Sequence, residues 1–72
     1  MIFNERLTVL RNEQGITQEK LAKELGIAYR NYQRLEADGN TPNYRNLGKI
    51  ADYFQVSVDW LMGRTDRRDV NR

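Results

Sequence analysis

The sequence predicts an all-α fold in which five short helices form one compact domain. Apolar residues recur three and four positions apart along almost all of the 72-residue chain, which is the spacing of one helix face. No segment alternates apolar and polar residues in the manner of a half-buried strand. Residues that favour helix starts, and glycines that favour helix ends, divide the chain into short stretches. Short helices with tight connections indicate a compact all-α domain.

The first helix is predicted over residues 4–13, and the second from just after Thr17 to Gly26. Thr17 is a favourable N-cap because its side-chain oxygen accepts a hydrogen bond from an N–H of the first turn. Gly15 and Gly26 are expected to end the two helices, since glycine adopts the left-handed conformation without strain. The residues expected to face the core are Phe3, Leu7, Leu10, Leu21, Ala22 and Leu25.

The third helix is predicted over residues 28–37, the fourth over 44–54, and a short fifth helix follows Ser57. The Asp-Gly-Asn-Thr-Pro stretch at 38–42 is a dense turn signal. Asn43 and Ser57 are the expected N-caps of the two helices that follow them. The residues expected to face the core are Tyr32, Leu35, Leu47, Ile50, Ala51, Phe54 and Trp60.

The end of the chain differs in composition from the rest. Residues 64–72 are almost wholly polar and are predicted to form a flexible tail. Because several of these residues are basic, binding to the phosphates of a nucleic acid is the alternative to flexibility. The folded domain is therefore expected to span residues 1–63.

Composition excludes several functional classes. The chain has no Cys and no His, so it lacks disulfides, thiolate metal ligands and the commonest general base. It has no phosphate-binding glycine loop, and its carboxylates are dispersed among Lys and Arg. We therefore expect neither an enzyme nor a metal or cofactor site. With no signal-like or membrane-spanning apolar run, we expect a soluble, cytoplasmic protein.

The stretch from Gln18 to Leu35 has the spacing of a helix-turn-helix. Such a unit joins two steeply crossing helices by a turn of three or four residues. Ala22 supplies the small residue needed where the helices touch, and Gly26 supplies the positive φ needed at the turn. Tyr32 and Leu35 supply the large apolar anchors of the second helix.

Segments along the rest of the chain extend this match. In chain order the matching segments are Arg6–Arg11, Gly15–Ala22, Leu25–Ile27, Arg34–Glu36, Leu47–Ala51 and Ser57–Leu61. In this order and spacing they resemble the phage repressor and Cro family of helix-turn-helix proteins, also called the XRE family. The resemblance covers residues 4–63. It implies that the third helix lies in the major groove and that the second crosses above it toward the backbone.

The helical wheel of the third helix agrees with that placement. The arc opposite the two apolar anchors carries two arginines, a glutamine and a tyrosine, and no acid. Arginine can grip guanine O6 and N7, and glutamine can pair with adenine N6 and N7. Arg34 has an alternative partner in Asp38, four residues on. The predicted base contacts are Tyr29, Arg30, Gln33 and Arg34.

The resemblance also places Gln18, at the start of the second helix, against a phosphate. Free N–H groups at a helix N-terminus support this, because they favour anions. Residues in the loop after the third helix touch the backbone in family members. Asn31 is expected to reach the strand edge, with filling of inter-helix space as the alternative. The predicted phosphate contacts are Thr17, Gln18, Asn31, Asn40, Thr41, Asn43 and Arg45.

Other positions match or depart from the family pattern in ways that bear on structure. Arg11 and Glu36 correspond to a pair that commonly forms a salt bridge in this family, so they are expected to be structural. Ala28 stands where the family often has Ser or Thr as an N-cap, and loss of that cap costs about 1 kcal/mol. Tyr32 replaces the usual Ile or Val, so the packing under the third helix must differ. Gln55 occupies a position where Gly is frequent, which affects the end of the fourth helix.

These observations predict a sequence-specific regulator of transcription that binds double-stranded DNA. A repressor acting as a homodimer on a palindromic operator is expected, because two recognition helices about 34 Å apart read more base pairs than one. Val58 and Met62 are candidates for the dimer surface, and no small-molecule ligand is evident. The alternative is an antitoxin-like protein-interaction module that binds a partner protein. The arginine-rich arc argues against this alternative.

Overall fold

The computed structural model of the protein describes residues 2–37 and 42–69, and it confirms the all-α fold. The helices, in chain order, are α1 (Ile2–Gln14), α2 (Gln18–Leu25), α3 (Tyr29–Glu36), α4 (Tyr44–Phe54) and α5 (Val58–Leu61). α1 is longer than predicted at both ends, and the other boundaries lie within about one residue of the prediction. Among the described residues, no helix is long and apolar enough to cross a lipid bilayer.

The predicted N-caps of α2, α4 and α5 are confirmed. Oγ1 of Thr17, Oδ1 of Asn43 and Oγ of Ser57 each accept a hydrogen bond from the backbone N–H three residues on, at 3.1, 2.8 and 3.2 Å. α3 has no such bond, because Ala28 precedes it and offers no side-chain acceptor. α3, whose residues Tyr29, Arg30, Gln33 and Arg34 are exposed, thus starts without a side-chain cap.

α2 and α4 end in the same way. Each is followed by a residue in the left-handed conformation, Gly26 (φ 71°) and Gln55 (φ 56°). The next residue, Ile27 or Val56, donates its N–H to the carbonyl five residues back, at 2.9 and 3.0 Å respectively. This is the Schellman arrangement, which commonly brings an apolar residue back against the helix. Ile27 and Val56 are therefore buried, although periodicity within the helices did not predict them.

Gln55 keeps the conformation that glycine often supplies at this position. A residue with a Cβ costs about 1–2 kcal/mol in the left-handed region. The side-chain Nε2 of Gln55 donates to the carbonyl of Asp52 at 2.7 Å, and the backbone N–H of Gln55 donates to the same carbonyl at 3.3 Å. The C-cap geometry of α4 is thus retained without glycine.

The core draws on every helix. Its fully buried side chains include one from each helix in chain order, Leu7, Leu21, Tyr32, Ile50 and Leu61. Leu47 and Phe54, also predicted to face inward, are half-buried at the edge of this core. α3 packs against α1 and α2, while α5 packs against α1 and α4. α1 therefore contacts both α3 and α5 and links these two helices.

The described part of the expected tail, residues 64–69, lies against the helices. The N–H of Ser57 donates to the carbonyl of Arg68 at 2.9 Å. The guanidinium of Arg68 lies 5.3 Å from the ring centre of Trp60, and it forms a salt bridge with Glu13 of α1. Sequence composition predicted a flexible tail from residue 64, whereas these contacts attach its first part to the domain. The rest of that tail lies outside the described residues.

Candidate nucleic-acid interface

The residues predicted to contact bases lie together on the exposed side of α3. Tyr32 and Leu35 hold the opposite side of the helix in the core, where both are buried. Because successive residues of a helix turn by about 100°, this anchoring directs the predicted contacts outward. The exposed residues of this surface, called here the outer face of α3, are Tyr29, Arg30, Gln33 and Arg34.

The outer face of α3 is cationic and carries no acid. The only acid of the helix is Glu36, whose carboxylate is 6% exposed and whose Oε2 lies 2.6 Å from Nε of Arg11. The ion pair expected between these two residues is therefore present. Within residues 2–37 and 42–69, neither Arg30 nor Arg34 forms a salt bridge. The alternative partner of Arg34, Asp38, lies outside the described residues.

Glu36 is the centre of a polar cluster that joins α1, α2 and α3. Nε and Nη2 of Arg11 donate to its two oxygens at 2.6 and 3.3 Å. Nε2 of Gln18 donates to Oε1 at 3.0 Å, and the hydroxyl of Tyr32 donates to Oε2. Oγ1 of Thr8 lies 3.2 Å from Oε1. We call Arg11, Gln18, Tyr32 and Glu36 the Glu36 cluster.

The cluster keeps the carboxylate ionised. Burial by itself raises the pKa of Glu36, but the hydrogen bonds from Arg11, Tyr32 and Gln18 outweigh burial and hold the pKa below its ordinary value. The hydrogen bond to Glu36 raises the pKa of Arg11. Burial, and then the bond to Glu36, raise the pKa of Tyr32, so its hydroxyl remains a donor. The cluster is thus a neutralised ion pair with two further donors.

The start of α2 offers N–H groups to a ligand. Thr17 satisfies the N–H of Lys20 through its side chain and that of Leu21 through its carbonyl, at 3.1 and 3.0 Å. The first N–H groups of a helix have no partner inside it. Those of Gln18 and Glu19 have no acceptor among the described residues. This helix end can therefore receive an anion, such as a DNA phosphate.

The remaining predicted phosphate contacts are spread over several elements. Asn31 of α3 and Arg45 of α4 are exposed. Asn43 is also exposed, but its Oδ1 is engaged as the cap of α4. Asn40 and Thr41 lie outside the described residues. The hydrogen bond from Gln18 to Glu36 joins the start of α2 to α3. Among the described residues, no side-chain hydrogen bond or salt bridge joins Arg45 to Thr17, Gln18 or α3.

The structure draws attention to two residues that the sequence did not single out as candidate functional residues. Tyr44 lies between the predicted contacts Asn43 and Arg45 and is 93% exposed, and its position beside them in the sequence was the available signal. The hydroxyl of Tyr32 belongs to the Glu36 cluster, although Tyr32 was predicted only as a core anchor. Over the described residues, no group of acidic side chains is arranged to hold a metal ion.

Comparison with known proteins agrees with this architecture. The family model described as "Helix-turn-helix" matches residues 9–61. Over 64 residues the chain is 39% identical to the cryptic phage CTXphi transcriptional repressor RstR of Vibrio cholerae, which covers 89% of this chain and 57% of the relative. No solved structure matches the chain.

Two further relatives share a similar percentage of identical residues with this chain. The HTH-type transcriptional regulator YobD of Bacillus subtilis is 37% identical, covering 94% of this chain and 61% of the relative. The HTH-type transcriptional activator BcrR of Enterococcus faecalis is 36% identical, covering 86% of this chain and 30% of the relative. The chain thus spans less than two thirds of the length of each of these relatives.

Proposed function

Because the chain belongs to the helix-turn-helix family of the phage repressor (XRE) type, we propose that it binds double-stranded DNA as part of a transcriptional regulator. The observation that carries this proposal is the acid-free outer face of α3, with two exposed arginines beside a neutralised Glu36. An eight-residue helix is about 12 Å long, comparable to the width of the major groove, which is about 12 Å.

The proposed contacts divide into two kinds. Arg30, Arg34 and Gln33 read base edges, with Tyr29 beside them at the helix start. Thr17 and Gln18 meet a phosphate at the start of α2, where free N–H groups and the helix dipole favour an anion. Asn31, Asn43 and Arg45 add contacts to the backbone, which fix the register of α3 in the groove.

The proposal includes a homodimer that represses transcription from a palindromic operator. The longest dimension of the molecule is 30 Å, and half-sites one helical turn apart are separated by about 34 Å. Two copies centred on such half-sites are therefore spaced by slightly more than the longest dimension of one backbone, so a dimer contact has to be made by side chains at their facing ends. RstR, a relative named as a repressor, supports repression as the outcome of binding.

The experiment that tests this function is selection of bound sequences from a random double-stranded DNA pool, at two salt concentrations. We expect one enriched sequence with two-fold symmetry and binding that weakens steeply with salt, because phosphate contacts release counterions. An enriched site without symmetry contradicts the dimer. The absence of any salt-sensitive binding contradicts DNA binding and favours the protein-interaction module.

Arg30→Ala tests base reading by the outer face of α3. We expect binding to the selected site to weaken by about 1–3 kcal/mol, with relaxed preference at one base position, because a bidentate arginine is lost. The matched control is Arg64→Ala, which removes an exposed arginine near α5. An equal loss of affinity on all sequences would instead assign Arg30 to a phosphate.

A further inference from the structure

The side chain of Gln18 is held in one orientation by the Glu36 cluster. Its Nε2 donates one proton to Oε1 of Glu36 at 3.0 Å. A glutamine amide has two N–H protons, so the second remains available to a ligand at the start of α2. The orientation of this proton depends on where the carboxylate of Glu36 lies.

The carboxylate of Glu36 is held by a filled set of donors. A carboxylate has about four lone-pair sites. Arg11 fills two of them, Gln18 fills the third and the hydroxyl of Tyr32 fills the fourth. The hydroxyl of Thr8 is also near Oε1, but its one proton has a closer acceptor in the carbonyl of Asn4, at 2.9 Å against 3.2 Å. Arg11 and Gln18 approach from α1 and α2, whereas Tyr32 approaches from one turn earlier in α3. Tyr32 is therefore the donor that ties the carboxylate to its own helix.

The hydroxyl of Tyr32 has a role that is separate from the packing of its ring, because it donates a hydrogen bond to Glu36. The residue is fully buried, and its ring alone would supply the apolar anchor that Leu35 supplies one turn later. A phenylalanine would retain that packing but would leave Oε2 of Glu36 with Arg11 as its only donor. The carboxylate would then be free to turn toward Arg11 and away from Gln18.

From this geometry we infer that Tyr32 is a positioning residue for DNA binding, which acts through Glu36 to orient the Gln18 amide toward the phosphate backbone. The inference rests on the proposed function, because it assumes that DNA lies at the start of α2. Tyr32 does not itself touch DNA. Its effect on affinity must pass through Gln18.

A double-mutant cycle with Tyr32→Phe and Gln18→Ala tests this dependence. Affinity for the selected DNA site is measured for the unaltered chain, each single variant and the double variant. We expect each single change to weaken binding about tenfold, the loss that follows removal of one hydrogen bond to a charged group. We expect the double variant to bind no more weakly than Gln18→Ala alone. Multiplied effects would overturn the inference, since independent sites add.

The matched control is Tyr53→Phe, which also removes a tyrosine hydroxyl from a carboxylate. Tyr53 donates to Glu24 at the surface, away from the Glu36 cluster, so we expect unchanged affinity. If the unaltered chain shows no salt-sensitive binding, the proposed function and the inference both fail. If it binds, and Arg30→Ala weakens binding while Tyr32→Phe does not, the inference alone fails.

Nuclear magnetic resonance of the Gln18 side-chain amide gives a second measurement, which does not require a folded variant. In the unaltered chain we expect separate, exchange-protected Nε2 proton signals, one of which shifts when DNA is added. Averaged signals at the positions of a free glutamine would overturn the inference. In Tyr32→Phe, where it folds, protection of these protons should fall.

Discussion

At the residue scale, Glu36 shows how a single acid is accommodated beside the proposed DNA-binding surface. Burying a carboxylate costs several kcal/mol unless it is paired and its remaining lone pairs are satisfied. Arg11 provides the pair, and Gln18 and Tyr32 satisfy the remaining positions. The charge of Glu36 is therefore cancelled inside the domain and adds no net negative charge beside the outer face of α3.

Stability at low pH should report on this cluster. The folded-state pKa of Glu36 lies below its unfolded value of about 4.3, so its contribution is complete above that pH and is lost as the pH falls through the folded value. We expect the free energy of unfolding in urea to decline below about pH 4.3. The decline should be smaller in Tyr32→Phe, because that variant lacks one of the bonds that lower the pKa.

Tyr53→Phe serves as the control for the pH series as well. Glu13 also has a lowered pKa, caused first by its hydrogen bond from Arg68, but this contribution is common to all the proteins compared. The interpretation fails if the unaltered chain and Tyr32→Phe lose stability in parallel from pH 7 to pH 3.

Sequence and structure agree best at residues whose role is local. Thr17, Asn43 and Ser57 cap their helices as predicted, because a cap depends only on residues within one turn. The bonds of Tyr32 and Gln18 to Glu36 were not predicted. The bond from Gln18 spans 18 positions in the chain and depends on the angle at which α2 and α3 cross.

At the element scale, α3 has the weakest start of the helices that bear the predicted site. Ala28 has extended backbone angles, φ −58° and ψ 139°, which suit an N-cap residue, but it carries no acceptor. α2 and α4 have side-chain caps and closed Schellman ends. α3 therefore depends mainly on the burial of Tyr32 and Leu35, with the Glu36 cluster at its end.

Ala28→Ser should stabilise the domain by supplying the missing cap. The backbone already has a suitable conformation, so the new hydroxyl can accept an N–H of the first turn of α3. We expect a gain of about 1 kcal/mol in the free energy of unfolding, measured in urea. The control is Ala37→Ser, an exposed position at the other end of α3, where no N-cap bond can form. Equal effects of the two changes would contradict the capping argument.

At the scale of the whole molecule, the domain extends past the last predicted helix. Two guanidinium groups lie over the ring of Trp60, that of Arg6 at 4.7 Å and that of Arg68 at 5.3 Å from the ring centre. Arg6 also donates to the carbonyl of Thr65 at 3.0 Å. Composition predicted flexibility for this segment because it contains few apolar residues. The apolar partner of this segment is Trp60 of α5. Trp60 lies outside the segment, so the composition of the segment does not include it.

Arg68→Ala tests whether this segment contributes to the stability of the domain. The change removes a cation over Trp60 and a surface salt bridge to Glu13. The cation–π contact alone is worth about 0.5–1 kcal/mol, which corresponds to a fall of about 2–8 °C in the melting temperature of a domain this small. Arg67→Ala, which removes the adjacent exposed arginine, should have a smaller effect.

The same two variants distinguish a bound segment from a flexible one by the fluorescence of Trp60. Trp60 is the only tryptophan of the chain, so its emission reports on this contact directly. In Arg68→Ala we expect the emission to shift toward that of a more exposed indole, and in Arg67→Ala we expect no shift. Added salt should weaken the contribution of the exposed Glu13 bridge in the unaltered chain. Equal melting temperatures and spectra for the two variants would show that residues 64–69 do not stabilise the domain through Trp60.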